Sequence, residues 1–288
     1  MRKLWLLVRL AALALGGAAV LWIALSAASA GGPQGDAARF ERSQHTLLQA
    51  QVARLAPPPQ AATVYAIGMA GWADQDVFIK ELDGGLAAIG RLLPIQDRTL
   101  RLVNDRKTGE SLPLANQRNL AEAVHALAAV MHRDVDILLL LMTSHGTRHG
   151  FALRPPSAVT SELTPQQVAG TLDQEGIKNR IVIVSACFSG SFVPALANDD
   201  TIVLTAADAN STSFGCAPER DWTYFGDALF RQSMRPGVDL QHAFDNARTL
   251  IHGWELMDHA PPSNPQGHFG PALVAKLAPF FASTDAGQ

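Results

Sequence analysis

Two apolar stretches of the chain constrain its fold more than any other feature. Residues 136–143 read DILLLLMT and residues 180–186 read RIVIVSA, so both are apolar at successive positions. A strand with one face in solvent alternates apolar and polar side chains, whereas a strand covered on both faces is apolar throughout. The two stretches therefore predict central strands of a parallel sheet that helices cover on both faces.

Further strands and helices alternate with these two strands along the chain. Short β-type stretches are predicted at 63–67, 99–103 and 201–205, and helices at 77–93, 119–132, 165–174, 224–234 and 240–253. Strands separated by helices indicate the α/β class, with a mostly parallel sheet between two helical layers. Because ligands of such sheets bind outside the carboxyl ends of the strands, the loops at those ends are the place to look for chemistry.

The composition and charge exclude several classes of protein. Of the 288 residues, 48% are hydrophobic and 17% are charged, which excludes a disordered or highly charged polymer. The net charge of −3 at pH 7 argues against nucleic acid as a partner. The two cysteines exclude a disulfide scaffold and a four-cysteine zinc site. We expect neither a metal nor another cofactor.

The first thirty residues are typical of an export segment. Arg2, Lys3 and Arg9 accompany an apolar run from 10 to 30 that ends in Ala28-Ser29-Ala30, the small-residue pattern of a cleavage site. A run of this length also suffices to span a bilayer, which takes about 20 residues. Residues 1–30 are therefore predicted to be either a cleaved signal peptide or an inner-membrane anchor. Both alternatives export the rest of the chain to the periplasm or cell envelope and limit membrane contact to this segment.

Residues 31–60 are expected to form a stalk between the export segment and a main domain at 61–288. Gly31-Gly32-Pro33 and Pro57-Pro58-Pro59 favour extended, semi-rigid chain. A short helix is predicted between them, at about 39–55. The oligomeric state does not follow from the sequence.

A histidine and a cysteine follow the two central strands. His145-Gly146 comes directly after the first, and Cys187 ends the second. If the strands are parallel neighbours, both side chains face one crevice. A thiol that attacks a carbonyl and an imidazole that manages protons are what a cysteine hydrolase needs. The backbone N–H groups of Gly146 and Cys187 are candidates for an oxyanion hole. The alternative is that Cys187 is a core residue, since cysteine is among the most buried residue types.

Four sequence pieces resemble the legumain family of caspase-like cysteine peptidases, which includes asparaginyl endopeptidases and the catalytic subunit of the glycosylphosphatidylinositol transamidase. Two are LMTSHG at 141–146 and VIVSACFSGSF at 182–192. The others are Ile67 to Trp72 and the block from Thr205 to Asp227 that holds Thr-Tyr-Phe-Gly-Asp. The resemblance covers about residues 63–270 and is nearest to exported bacterial members. It implies a caspase-like three-layer α/β/α sandwich and a cysteine-type endopeptidase that acts on proteins or peptides.

Matched position by position, the resemblance assigns the catalytic groups. His145 corresponds to the catalytic histidine, Cys187 to the nucleophile and Gly146 to the oxyanion-hole glycine. Asp74 falls where legumains have an asparagine that orients the histidine. A carboxylate in place of that amide would stabilise the imidazolium form and raise the histidine pKa.

The resemblance also indicates a pocket for the residue before the cut. Asp227 and Ser213 match pocket residues, whereas Asp76 replaces a family arginine and Ser185 replaces a family glutamate. A pocket with the carboxylates of Asp76 and Asp227 would suit Lys or Arg, because an unpaired buried carboxylate requires a cation. An equal alternative is that Asp74 and Asp76 only cap the helix that begins at Val77.

Two functions compete with the endopeptidase. If an amine intercepts the thioester, the same site makes a transpeptidase or transamidase. A catalytically silent, envelope-anchored binding module would use the same crevice without chemistry. Cys216 is interpreted as a buried structural thiol, and the alternative is a regulatory disulfide with Cys187.

Overall fold

A computed structural model describes residues 33–108, 111–156, 159–217 and 219–282. The predicted export segment at 1–30 lies outside these residues. The chain divides into two compact units, residues 1–46 and 47–288. Of the first unit, the described part is the beginning of helix α1 (Pro33–Val52). Within the described ranges, no helix combines the length and the apolar character needed to cross a membrane.

Among the residues that the structure describes, eight strands lie in one sheet and one hairpin. They are β1 (Val64–Ala70), β2 (Thr99–Val103), β3 (Ile137–Thr143), β4 (Phe151–Leu153), β5 (Ser161–Leu163), β6 (Arg180–Ser185), β7 (Thr201–Thr205) and β8 (Gln266–Phe269). The sheet has the order β2-β1-β3-β6-β7-β8, and β4 pairs with β5 in the hairpin. Neighbours from β2 to β7 are parallel, and β8 is antiparallel to β7. The carboxyl ends of β3 and β6 therefore lie side by side.

The helices follow the strands in sequence. They are α2 (Val77–Ile89), α3 (Gln117–Val130), α4 (Pro165–Gln174), α5 (Phe192–Leu196), α6 (Tyr224–Gly226), α7 (Leu240–Met257) and α8 (Pro271–Ala282), with a 3₁₀ turn at Ser189–Ser191 and a π-helix at Asp227–Ser233. The predicted start of α4 is confirmed by a capping box, in which Thr164 and Gln167 each bond the other's backbone N–H.

Two apolar layers cover the sheet because successive strand residues point to opposite faces. In β3, Leu139 and Leu141 face one layer and Leu138 and Leu140 the other. The layer that we call the front layer is built from Phe78 and Leu82 of α2, Phe230 of the π-helix, Phe244 of α7 and Leu277 of α8. The back layer is built from Leu120 of α3, Val168 of α4, Phe192 of α5, and Phe151 and Leu163 of the hairpin. The predicted α/β class and mostly parallel sheet are confirmed.

Several boundaries differ from the sequence expectation. Strand β1 continues to Ala70, since its last residues pair with β2 and β3. Helix α2 ends at Ile89 rather than near residue 93. Helix α1 overlaps the helix predicted at about 39–55 but begins earlier, at Pro33, and ends at Val52. The second compact unit begins at Leu47, within the segment predicted at 31–60, and Leu48 is fully buried within that unit.

Candidate active site

The register of the two central strands brings the candidate dyad together. Thr143 of β3 is paired with Ser185 of β6, and the strands run parallel. His145 and Cys187 each stand two residues beyond this pair. Both therefore emerge at the same edge of the sheet. Both residues are part-buried.

His145 is held on three sides. Its Nε2 atom is hydrogen-bonded to the side-chain oxygen of Gln75. The rings of Trp72 and Phe78 meet the imidazole edge-on, with centroids at 4.7 and 5.0 Å. Burial lowers the pKa of His145 from its ordinary value, because desolvation disfavours the charged form. The imidazole is therefore neutral at pH 7 in the free protein.

The partners of Gln75 fix the tautomer of His145. The side-chain N–H₂ of Gln75 donates to the backbone carbonyl of Cys216 over 2.7 Å. A carbonyl only accepts, so the side-chain oxygen of Gln75 must face the histidine. Nε2 of His145 then carries the proton, and Nδ1 keeps the lone pair that can take a proton from a thiol.

Cys187 lies against the loop that follows β7. The backbone N–H of Ser213 donates to its Sγ atom over 3.3 Å, and the carbonyl and hydroxyl oxygens of Ser213 lie at 3.6 and 3.8 Å. The next residue, Phe188, has a left-handed φ of 57°. Its N–H donates to the carbonyl of Ser211 over 2.8 Å. The thiol is thus placed by a tight turn on one side and by Ser213 on the other.

Gly146 packs directly on the cysteine segment. A Cβ atom at Gly146 would overlap the carbonyl oxygen of Cys187, so only glycine fits at this position. In the described part of the chain, the N–H groups of Gly146 and Cys187 donate to no protein acceptor. Two such amides beside a thiol are available to a developing oxyanion.

Asp74 does not contact His145 in the structure. Its carboxylate is paired with Arg106 at 2.5 Å and with Arg154 at 3.1 Å. These pairs, with the Arg106 hydrogen bond as the largest cause, lower the pKa of Asp74. The hydrogen bond that the resemblance assigned to Asp74 is made by Gln75, one residue later.

The two acids of the expected pocket both have cations beside them. Asp76 lies 3.1 Å from Lys80, which also pairs with Asp221 at 3.1 Å. Asp227 makes a bidentate pair with Arg231, at 2.7 and 2.9 Å. Asp76 stands at the start of α2, but its side chain makes no capping hydrogen bond. Asp76 and Asp227 are therefore not unpaired, and the side chain of Asp76 does not cap α2.

A shallow pocket of about 220 Å³ lies where these charges meet. It is lined by Arg220, Asp221, Trp222, Asp227 and Arg231. Asp227 begins the π-helix, a geometry that often marks functional sites. The pocket places charges of both signs in front of a side chain that enters it.

Glu81 is a buried carboxylate that sequence reasoning missed. It accepts from the Thr143 hydroxyl over 2.9 Å and from the Thr223 N–H over 2.8 Å, and the Ser185 hydroxyl also bonds to it. Complete burial raises the pKa of Glu81 above its ordinary value. Glu81 could have been noticed in the sequence because it is a charged residue on the apolar face of α2, the face that also carries Phe78. Gln75 gave no comparable signal.

Cys216 is a free thiol, like Cys187. Burial, with the Cys187 thiol and Glu81 as smaller causes, raises the pKa of Cys216 to about 12. Such a thiol is almost entirely protonated at neutral pH and reacts poorly. This favours the interpretation of Cys216 as a structural residue over the regulatory disulfide.

The fold defines a structural class, the caspase-like α/β/α sandwiches. A crystal structure of caspase-1 from Spodoptera frugiperda is similar to this chain, with a TM-score of 0.52 and 13% sequence identity. The match covers 73% of this chain and 87% of that chain. At this identity the likeness concerns the fold alone.

The family follows from the sequence match. Residues 115–271, more than half of the chain, match the Peptidase C13 family. The chain belongs to this family and is a cysteine peptidase, a hydrolase with protein or peptide substrates. The predicted family and the predicted caspase-like fold are both confirmed. A comparison with curated protein sequences found no match.

Proposed function

We propose that the chain is an endopeptidase in which Cys187 and His145 form the catalytic dyad. The supporting observation is the strand register, which places both residues two positions beyond the Thr143–Ser185 pair. Nδ1 of His145 takes the thiol proton, and the sulfur of Cys187 forms a bond to the substrate carbonyl carbon. The N–H groups of Gly146 and Cys187 donate to the resulting oxyanion.

Collapse of this tetrahedral intermediate breaks the carbon–nitrogen bond. The proton held by His145 passes to the leaving amine, and the acyl group stays on Cys187 as a thioester. Water, activated by the neutral imidazole, then attacks the thioester and releases the acid and the thiol. Each proton taken by His145 is returned, so the cycle closes without a cofactor.

The preference at the cut site is a separate proposal. Lys or Arg before the cut would be favoured if the substrate cation displaces Lys80 from Asp76 or Arg231 from Asp227. Ser213 and Ser185 complete this pocket in the proposal. Preference for an uncharged polar residue instead would indicate that the internal ion pairs persist.

A peptide library varied at the residue before the cut tests both proposals. We expect hydrolysis that is lost in Cys187→Ala, with Cys216→Ala as the matched control that keeps it. Unchanged hydrolysis after Cys187→Ala contradicts the dyad. New amide products when an amine acceptor is added would favour the transpeptidase, and substrate binding without turnover in the unmodified chain would favour the silent binding module.

We also propose that the chain is exported and that residues 1–30 direct it to the cell envelope. The basic residues and the apolar run that ends in Ala28-Ser29-Ala30 support this proposal. Fractionation of the producing cell with N-terminal sequencing is the test. A mature chain that begins near Gly31 indicates cleavage, an intact chain in the inner membrane indicates the anchor, and an intact cytoplasmic chain contradicts export.

A further inference from the structure

The turn after His145 carries an arginine that the dyad chemistry does not use. Thr147 and Gly150 close the turn through paired backbone hydrogen bonds of 2.9 and 3.3 Å. Arg148 lies between these two residues in the sequence, and its side chain is exposed. Its guanidinium lies over the ring of Phe188, 5.1 Å from the ring centroid. Since Phe188 directly follows Cys187, Arg148 bridges the two segments that carry the dyad.

Arg148 is held in place but keeps most of its donors. Stacking on Phe188 and one hydrogen bond of 3.2 Å to the side-chain oxygen of Asn210 fix the guanidinium. Phe188 is itself fixed by its N–H bond to Ser211. A guanidinium has five N–H donors, so a planar acceptor can still form a bidentate contact with it.

Two carboxylates that contact neighbours of Arg148, those of Glu162 and Asp208, are engaged by other groups. Glu162 accepts from the hydroxyl of Thr147 over 2.6 Å and lies 3.8 Å from the ring of His149. Asp208 accepts from the backbone N–H of Asn210 over 2.7 Å. Across the described residues, Arg148 forms no ion pair, in contrast to Lys80 and Arg231.

The position of Arg148 relative to the pocket gives its role. Asp227 and Trp222 of the pocket belong to elements of the front layer, whereas the hairpin that follows Arg148 packs in the back layer. On the proposed function, a peptide with the residue before the cut at Asp227 would cross the dyad and continue towards Arg148. We propose that Arg148 binds a carboxylate side chain at the first or second position after the cut, so that acidic residues there favour cleavage. This inference rests on the proposed function.

Matched peptides test the assignment. They carry the sequence cleaved fastest in the library, with Glu, Gln or Lys at the first or the second position after the cut. For the full chain we expect kcat/KM to be about 5-fold higher with Glu than with Gln at low ionic strength, and the ratio to fall as salt is added. Arg148→Ala should bring the ratio to about 1, and Arg148→Glu should make Lys the preferred residue.

Arg91→Ala, which changes an exposed arginine beyond the end of α2, is the matched control and should keep the ratio. Equal rates for Glu and Gln in the unchanged chain, or a Glu preference that survives Arg148→Ala, overturn the role of Arg148 while the endopeptidase stands. Cleavage of these peptides that persists in Cys187→Ala instead overturns the proposed function, and this inference with it.

Discussion

At the scale of single residues, Gln75 determines which nitrogen of His145 carries the proton. We predict that Gln75→Glu moves the acid limb of the kcat/KM profile to higher pH, by about one unit. The reason is that a carboxylate beside Nε2–H stabilises imidazolium, whereas burial keeps the pKa of His145 low in the unchanged chain. A pH-rate profile from pH 4 to 9 measures the shift.

Gln75→Leu removes the hydrogen bond to His145 without adding a charge, so it tests the positioning of the imidazole by itself. Losing the hydrogen bond to Nε2 should lower kcat by about 10- to 100-fold with little change in KM. The exposed Gln241 provides a matched control, and Gln241→Leu should leave kcat and the profile unchanged. An acid limb that stays in place in Gln75→Glu would contradict the assigned tautomer and role.

The position of His145 and Cys187 at one edge of the sheet could be predicted from the sequence, because each follows an uninterrupted apolar strand and parallel strands end at one edge. The residue that contacts His145 could not be predicted in this way. Asp74 and Gln75 are adjacent in the turn between β1 and α2, and the backbone angles of that turn decide which of them faces the imidazole. The ion pairs of Asp74 with Arg106 and Arg154 join residues distant in sequence, so the sequence could not predict them either.

At the scale of elements, Glu81 links α2 to the end of β3 and to the loop before α6 through Thr143 and Thr223. Its pKa is raised in the folded state, so folding favours the protonated form. The stabilisation is fully present below the unfolded pKa of about 4.3 and is lost as pH rises through the folded pKa. We therefore predict that the contribution of Glu81 to the free energy of unfolding decreases with pH in this window, whereas the lowered pKa of His145 contributes the opposite slope.

Glu81→Gln removes the titration and should flatten this dependence, as measured by urea unfolding from pH 4 to 8. Glu219→Gln changes an exposed glutamate and should retain the wild-type slope. If Glu81→Gln unfolds with the same pH dependence as the unchanged chain, Glu81 is not the group responsible.

Most strands and helices of five or more residues could be predicted from the sequence, and the shortest strands could not. Strands β2 and β7 have the predicted bounds. Strands β4, β5 and β8 have only three or four residues and owe their hydrogen bonds to one neighbour each. Helix α8 contains Pro279, a residue that normally argues against a helix.

At the scale of the whole molecule, the second compact unit includes residues that the sequence assigned to a stalk. Leu48 is fully buried in the back layer. The Gln51 side chain makes two hydrogen bonds to the backbone of Arg101 in β2, at 2.9 and 2.8 Å. The sequence predicted a helix at about 39–55 but assigned it to a stalk, because tertiary contacts of this kind leave no local signal.

Truncation distinguishes the two boundaries. We predict that residues 47–288 unfold with nearly the free energy of residues 31–288, whereas residues 61–288 lose about 3 kcal/mol through the missing Leu48 burial and Gln51 hydrogen bonds. Chemical denaturation of the three chains measures this. In the full chain, Leu48→Ala should lower the free energy of unfolding by about 2–4 kcal/mol. Equal stability of residues 61–288 and 47–288 would instead support the predicted boundary at residue 61.

The most direct test of the central claim is to trap the acyl-enzyme. The full chain is mixed with its best peptide, quenched in acid within the first turnover and analysed by mass spectrometry for the site of acylation. A hydroxylamine-sensitive acyl group on Cys187, present in Cys216→Ala and absent in Cys187→Ala, is the predicted result. An acyl group on any other residue, or cleavage in Cys187→Ala, would contradict the dyad.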